Sequence, residues 1–162
     1  MRPGTSVNVT LPARARIGQL LLAGVGAFLA LGIVGSLTQA SGQPWLIGSF
    51  GASCVLLFGF PRGPFSRPRN VIGGHLLCSC VGLACLHLLG PGVPAMALAC
   101  ALSLVLMELS GTTHPPAGGN PIVIFMTQAD WTFALTPTLA GATLLTLVAW
   151  LYAKTLTAFR TH

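Results

Sequence analysis

The chain has 162 residues, of which 53% are hydrophobic and only 6% are charged, and its mean hydropathy is +0.80. Soluble domains carry roughly 25% charged residues, so this composition excludes a water-exposed globular fold and predicts an integral membrane protein. The net charge of +6 comes from cations at the ends of apolar segments, which is a membrane-topology signal and excludes a basic groove for nucleic acid.

The length predicts a single domain, with a polar cytoplasmic tail at 1–16, one transmembrane domain at 17–157 and a short tail at 158–162. The first predicted span is 17–38. At a rise of 1.5 Å per residue this span is about 33 Å long, enough to cross a bilayer. Small residues recur four positions apart in it, at Ala23 and Ala27, which lets another helix approach closely.

The second apolar segment, from Trp45 to Phe60, is interrupted early by glycines and serines. We expect extended backbone to about residue 50 and a short helix from Ala52 to Phe60, which covers only about half of the membrane. Gly51 and Ser53 would then stand at the N-terminus of a helix inside the bilayer, where backbone amides favour an anion.

Three further spans are predicted at 71–90, 95–111 and 133–156, with a second short helix of about two turns starting at Pro121. The fold is therefore all-α and polytopic, with four full-length spans and two short segments. The order long, short, long occurs twice, and aligning Phe58 with Phe125 predicts an inverted 3+3 repeat. The positive-inside rule places both termini and the basic 61–70 turn on the cytoplasmic side of the membrane, which we expect to be a bacterial inner membrane.

The most polar stretch, ELSGTTHPPAGGNPIVIF (108–125), lies between two very hydrophobic segments. Non-helical backbone at membrane depth occurs only where protein buries it or where it lines a cavity. Gly118 and Gly119 allow close approach of a ligand, and Asn120 is the predicted N-cap of the short helix. The stretch therefore predicts a path or a binding site.

His114 is the leading candidate in this stretch, because an intramembrane histidine can donate to an anion or take up a coupled proton. A purely structural role in holding the loop is the alternative. Thr112 and Thr113 would bind substrate or satisfy the backbone, and Glu108 is a candidate proton site or the partner of an arginine such as Arg69. His75 shares a helix stripe with Ser79, and is either a pathway residue or bonded to a neighbouring helix.

Two motifs, PRNVIGGHLL (68–77) and THPPAGGNP (113–121), together resemble the HPP family of integral membrane proteins, over residues of about 17 to 160. The resemblance implies a compact multi-span protein related to proteins associated with nitrite transport. Carried over by motif, the residues concerned are His114, Pro115 and Pro116, with Arg69, Asn70, Gly74 and His75. The chain departs from the expected pattern at Asn120 and Pro121, where small or apolar residues are usual.

These observations favour a transporter or channel for a small anion, with nitrite preferred by resemblance, bound near the midplane between the N-termini of the two short helices. A non-transporting structural or regulatory module is the alternative. An enzyme is not expected, because the sequence contains no metal-ligand motif such as HExxH and its cysteines lie inside apolar runs. We expect no cofactor, a lipid environment and a homo-oligomer.

Overall fold

The computed structural model describes the backbone of residues 13–160 and the side chains of residues 17–156. In chain order the elements are α1 (Ala13–Ser41), α2 (Gly48–Cys54) with a π-helical turn (Val55–Gly59), a 3₁₀ turn (Pro64–Ser66), α3 (Pro68–Leu89), α4 (Val93–Ser110), a 3₁₀ turn (Pro115–Gly119), α5 (Asn120–Thr127), a π-helical stretch (Ala134–Leu139) and α6 (Ala140–Arg160). The described residues thus form an all-helical fold, as predicted.

Four helices in the described part of the chain are long and apolar enough to cross a membrane: Ile17–Ser41, Pro68–Leu89, Val93–Ser110 and Ala134–Leu156. They confirm the four predicted spans. The ends differ slightly, because α1 begins at Ala13 and α6 continues to Arg160, so parts of both predicted tails are helical. The rest of those tails, 1–12 and 161–162, lies outside the described residues.

The first short segment, Gly48–Gly59, starts earlier than predicted. Ile47 is extended, with φ −123° and ψ 152°, and helix begins at Gly48, so Gly51 and Ser53 lie within the helix instead of at its N-terminus. The prediction was wrong because the low helix propensity of Gly and Ser is overridden by packing, with Ser49 and Phe50 both buried. One consequence is that the proposed backbone anion site at Gly51 and Ser53 is not formed.

The second short segment, residues 115–127, is a 3₁₀ turn that runs directly into α5. Asn120 is therefore not an N-cap: it is helical, with φ −61° and ψ −42°. Helix starts instead at Pro115, because proline needs no N–H partner in a first turn. Pro115 and Pro116 carry no N–H, and the Ala117 amide donates to the His114 carbonyl at 2.9 Å, so these residues offer no free amide to an anion.

Helix α3 is the centre of the bundle, packing against α4, α5 and α6. Half of the residues in the most apolar part of α3 are buried inside the bundle, against 17% in α1 and in α4. Helices α1 and α4 therefore turn most of their surface outward. Gly82 brings α5 close: a Cβ there would lie 3.0 Å from the Cα of Pro121. The two short segments also contact each other beside α3.

The element order long, short, long occurs twice, and two contacts relate the halves reciprocally. A Cβ at Gly74 on α3 would lie 2.8 Å from the Thr112 carbonyl, and one at Gly141 on α6 would lie 3.4 Å from the Trp45 carbonyl. When Phe58 is aligned with Phe125, Gly74 is equivalent to Gly141 and Trp45 is equivalent to Thr112. The inverted relation of the two halves stays a prediction.

Candidate functional site

Seven buried polar side chains meet near the middle of α3, where the two short segments touch, and we call them the polar core. Their exposures are 9% for Ser49 and 0% for the other six, which are Ser53, His75, Ser79, His114, Asn120 and Thr138. Burying a polar group without a partner costs roughly 1–3 kcal/mol by mutational measures, so such a cluster is stable only when its members bond to one another.

Ser53 links the two histidines of the polar core. Its Oγ lies 2.9 Å from Nε2 of His75 and 2.8 Å from Nε2 of His114. It also lies 3.0 Å from the carbonyl of Ser49, to which it can donate. The imidazole centroids are 5.1 Å apart, and Phe50 meets His75 edge-on with centroids 5.2 Å apart. One hydroxyl from the first short segment therefore joins a histidine of α3 to the histidine of the HPP sequence.

The contact between His114 and the carbonyl of Phe65 shows which ring nitrogen of His114 carries a hydrogen. Nδ1 lies 2.7 Å from the carbonyl of Phe65, and a carbonyl only accepts, so Nδ1 carries a hydrogen. In a neutral imidazole the other nitrogen, Nε2, is then an acceptor. His114 thus connects the polar core to the 61–67 connection between the first short segment and α3.

Asn120 is the second junction of the polar core. Its Oδ1 accepts from Ser49 at 2.7 Å, and its Nδ2 donates to Ser79 Oγ at 2.9 Å and to the His75 carbonyl at 3.3 Å. Ser79 in turn lies 2.8 Å from the Thr138 hydroxyl. Asn120 therefore joins both short segments to α3, and through Ser79 to the stretch before α6.

One polar atom of the core has no hydrogen-bond partner: Nδ1 of His75, on a residue that is fully buried. Every other nitrogen and side-chain oxygen of the core described above is within bonding distance of a partner. Such an exception in an otherwise satisfied network marks a place where a further group can bind.

The loop before the second short segment is clamped by the start of α3 and the end of α4. Arg69 donates to the Ser110 carbonyl at 2.8 Å and Asn70 to the Thr113 carbonyl at 2.9 Å. Thr113 donates to Glu108 at 3.0 Å. The predicted Arg69 partner for Glu108 is thus replaced by Thr113, and Arg69, Asn70 and Thr113 all serve to hold the loop.

The predicted site residues therefore separate into groups. His75, His114, Ser53 and Asn120 come together in the polar core. Thr112 lies outside it, with its Oγ1 2.8 Å from Ser110 Oγ. The glycines of the short segments leave space, since a Cβ would meet nothing within 4 Å at any of these positions: Gly51, Gly118 and Gly119.

Three members of the polar core were missing from the predicted site: Ser49, Thr138 and, as a named site residue, Ser79. Ser49 lies one helical turn before Ser53, so a helix start at Gly48 would have predicted it. Thr138 follows a non-helical residue, Thr136 (φ −134°, ψ 120°), and no periodic pattern predicts its position.

Two cavities lie elsewhere, on α1. One of about 650 Å³ is lined by residues including Gln19, Phe58, Arg62 and Tyr152, and one of about 440 Å³ by residues including Phe28 and Gly32. Neither is lined by a residue of the polar core.

Comparison with known proteins bears directly on the loop that carries His114. The family model described as HPP, transmembrane region, matches residues 12–161, almost the whole chain. The chain belongs to the HPP family. Its HPP motif is His114, Pro115 and Pro116, and the histidine of that motif is the one that Ser53 and Phe65 hold in the polar core.

Two transmembrane proteins of Dictyostelium discoideum are similar to this HPP chain. One is 34% identical over 155 residues, covering 90% of this chain and 54% of that protein. The other is 31% identical over 123 residues, covering 71% of this chain and 40% of that protein. The chain thus spans about half the length of the curated relatives it matches. No solved structure matches.

Proposed function

We propose that this HPP protein transports a small inorganic anion, with nitrite as the favoured substrate, and that the anion passes through the polar core. The observation that carries this proposal is the meeting of seven buried polar side chains where two half-length segments touch. Ionisable side chains inside the membrane are costly and by default mark candidate functional sites, and the core holds two of them, His75 and His114.

The chemistry of the core suits an anion better than a cation. Its members are histidines, hydroxyls and an amide, all able to donate, and none of the seven is a carboxylate. The anion would be held by side-chain donors, since prolines occupy the start of the second short segment. The open space beside Gly51, Gly118 and Gly119 supports the same interpretation, because neither packing nor a positive φ requires glycine there.

The charge at one end of the bundle is consistent with an anion. Three exposed arginines lie in or next to the connection that carries the Phe65 carbonyl: Arg62, Arg67 and Arg69. Their potential would raise the local anion concentration at the mouth nearest His114. With the predicted topology this mouth is cytoplasmic, in a bacterial inner membrane, with both termini on the same side.

The test is nitrite uptake into proteoliposomes containing purified protein, compared with empty liposomes. Gly118→Val should reduce uptake, because it fills space that the described structure leaves open, while the fold tolerates it for the same reason. Gly32→Val is the matched control, since Gly32 is exposed on α1 and equally uncrowded. Uptake equal to that of empty liposomes, with folded protein, would exclude nitrite and direct the assay to nitrate, formate and bicarbonate.

A second function, a non-transporting structural or regulatory module, is favoured by one observation: the core satisfies nearly all of its own hydrogen bonds. Absence of uptake for all four anions would support this alternative. We also propose a homo-oligomer, because α1 is mostly outward-facing and carries small residues four positions apart, which let another helix approach closely; the mass of the protein in lipid nanodiscs tests this independently.

A further inference from the structure

The hydrogen positions of the polar core follow from one carbonyl. Phe65 O accepts from Nδ1 of His114, so neutral His114 has a bare Nε2. That nitrogen lies 2.8 Å from Ser53 Oγ, and the contact is favourable only if the Ser53 hydroxyl points its hydrogen at it. The single hydrogen of Ser53 is then used.

The same reasoning continues to His75. Ser53 Oγ, having donated its hydrogen, can only accept from His75 Nε2, which lies 2.9 Å away. His75 therefore carries its hydrogen on Nε2 and has a bare Nδ1. This is the one atom of the core without a partner. The hydrogen assignment thus predicts that the unpartnered Nδ1 of His75 carries a lone pair, which can accept a proton.

We propose that His75, Ser53 and His114 form a proton relay, in which a proton enters at Nδ1 of His75 and arrives at Nε2 of His114. A hydronium ion gives the proton to Nδ1 and leaves as water. Nε2 of His75 passes its own proton to Ser53 Oγ, and Ser53 passes its hydroxyl proton to Nε2 of His114. In sum, Nδ1 of His75 gains a hydrogen and its Nε2 loses one, Ser53 Oγ exchanges one hydrogen for another, and Nε2 of His114 gains one. No other bond changes.

The end state is as well bonded as the starting state. His114 becomes an imidazolium that donates to Phe65 and to Ser53, while Ser53 donates to the bare Nε2 of His75 or, by rotating, to the Ser49 carbonyl at 3.0 Å. His75 ends as the opposite tautomer. The positive charge has then moved from α3 to the loop beside the exposed arginines.

The surroundings of the relay are polar but hold few groups that titrate. From the first short segment it meets Ser53 and Phe50, and from the second the amide of Asn120. Cys78 on α3 packs with Met107 of α4 and Ala117. Among the described residues, Arg69 and Glu108 bond to Ser110 and Thr113, and Arg62 and Arg67 lie in the connection whose Phe65 carbonyl bonds to His114.

The relay itself does not require an anion. Its link to transport rests on the proposed function: a proton on the histidines makes the core positive, so an anion and a proton would enter together. A proton-coupled carrier would result, in which each anion crosses with one proton.

The experiment is ¹⁵N NMR of histidine-labelled full-length protein in lipid nanodiscs, without any anion substrate, titrated with acid. His75 and His114 are assigned by His75→Gln and His114→Gln. At high pH we expect opposite tautomers, Nε2–H for His75 and Nδ1–H for His114. On acidification, His75 should change to Nδ1–H at the same pH at which His114 becomes imidazolium.

Ser53→Ala should separate the two changes, so that His75 no longer switches when His114 is protonated. Ser49→Ala is the matched control, because it removes a hydroxyl one turn away that bonds to Asn120 and to neither ring. Ser53→Thr keeps the hydroxyl and should preserve the coupling. If Ser53→Ala does not fold, the titration of the unmodified protein still decides.

Identical tautomers at high pH, or two histidines that titrate independently, would overturn the relay. Because the measurement needs no substrate, failure of nitrite uptake leaves it standing. Conversely, nitrite uptake that a proton gradient does not change, together with uncoupled histidines, would overturn the relay and leave the transport proposal intact.

Discussion

The two short segments play matching parts in the core but are held in different ways. Each contributes a residue that is fully buried, Ser53 from the first and Asn120 from the second, and the two are equivalent when Phe58 is aligned with Phe125. The loop into the second segment is clamped by side chains of α3. The connection into the first, 42–47, is mostly exposed, and its Trp45 Nε1 donates to Ser41 at 3.0 Å.

The difference teaches that the second segment is held by α3 and α4, which precede it in the chain, whereas the first depends partly on His114 and Asn120, which follow α4. Ser49 bonds to Asn120, and Ser53 to His114 as well as to His75 of α3. If the first segment moves relative to the rest of the bundle during transport, these are the polar bonds that must break. Five perturbations test this comparison, from the largest expected effect to the smallest.

Ser53→Ala should have the largest effect, because it leaves Nε2 of two buried histidines without a partner. An unsatisfied buried group costs about 1–3 kcal/mol, so we expect a loss of roughly 3 kcal/mol in the free energy of unfolding. Equilibrium unfolding in mixed detergent–SDS micelles measures it. Ser49→Ala should cost less, since it deprives only Asn120 Oδ1 of a donor; equal losses would contradict the central place of Ser53.

Gly74→Ala should come next, because the added Cβ would lie 2.8 Å from the Thr112 carbonyl and 2.9 Å from His114 Cβ. The loop is clamped and cannot withdraw freely, so we expect a loss of about 2 kcal/mol, within the range for overpacked cores. Gly118→Ala, where a Cβ meets nothing within 4 Å, is the control. The paired site, Gly141→Ala, would press on the Phe50 ring and the Trp45 carbonyl.

Gly141→Ala sharpens the comparison, because its Cβ would meet the end of the Phe50 ring first and would reach the Trp45 carbonyl only at 3.4 Å, an ordinary contact distance. We expect a smaller loss than at Gly74, because a ring can rotate, whereas the Thr112 carbonyl belongs to the backbone of a clamped loop. If Gly141→Ala proves the more damaging of the two in the same unfolding assay, the first segment is held more firmly than its contacts indicate.

Asn70→Ala removes the bond to the Thr113 carbonyl and tests the clamp itself. Leaving one half-buried carbonyl without its donor should cost about 1 kcal/mol. Hydrogen–deuterium exchange measured by mass spectrometry should become faster in peptides covering 111–119 and stay unchanged in those covering 42–47. Ser41→Ala is the reciprocal variant, expected to speed exchange only around 42–47.

Acid should slightly destabilise the loop that follows the second short segment and should leave the turn that follows the first short segment unchanged. Hydrogen bonds from the Thr132 hydroxyl, and then from its backbone amide, lower the pKa of Asp130 below its ordinary value of 3.8. The ionised carboxylate therefore stabilises the fold above that value, and the contribution is lost as the pH falls through the folded-state pKa.

We accordingly expect a small decrease in the unfolding temperature as the pH falls below about 4, and a smaller decrease in Asp130→Asn than in the unmodified protein. The turn that follows the first short segment relies on Ser66, which donates to the carbonyls of Leu56 and Phe60 at 3.0 and 2.8 Å. The Ser66 hydroxyl does not titrate in this pH range. Ser66→Ala should keep the same pH dependence as the unmodified protein.

The long spans could be predicted from the sequence because runs of about twenty apolar residues have few alternatives in a bilayer. The polar core could be predicted only in part. Asn120 stood out as a departure from the family pattern, and His114 as a histidine at membrane depth. Their meeting with Ser53 and His75 could not be predicted, because it depends on how segments distant in the chain pack.

The starts of the short segments were misplaced for a local reason. Propensity disfavours helix at Gly48 and Ser49, and the N-cap rule favours Asn120, but both preferences are worth about 1 kcal/mol and burial of Ser49 and Asn120 in the core outweighs them. The resulting error concerned the kind of site: the sequence indicated free backbone amides at the starts of two short helices, whereas the structure brings buried polar side chains together there.

The dependence of the first segment on the second half also bears on biosynthesis. The chain is made from the N-terminus, and Ser53 precedes His114 by 61 residues. At about 5–20 residues per second, the ribosome needs roughly 3 to 12 seconds to supply that partner. Arg69 and Asn70, by contrast, are already in place when the loop they clamp emerges. During this interval Ser53 can bond to the Ser49 carbonyl and to His75 of α3 but not to His114. A nascent chain arrested after α3 would therefore hold its first short segment by only part of its final bonds, which makes it a target for membrane quality control.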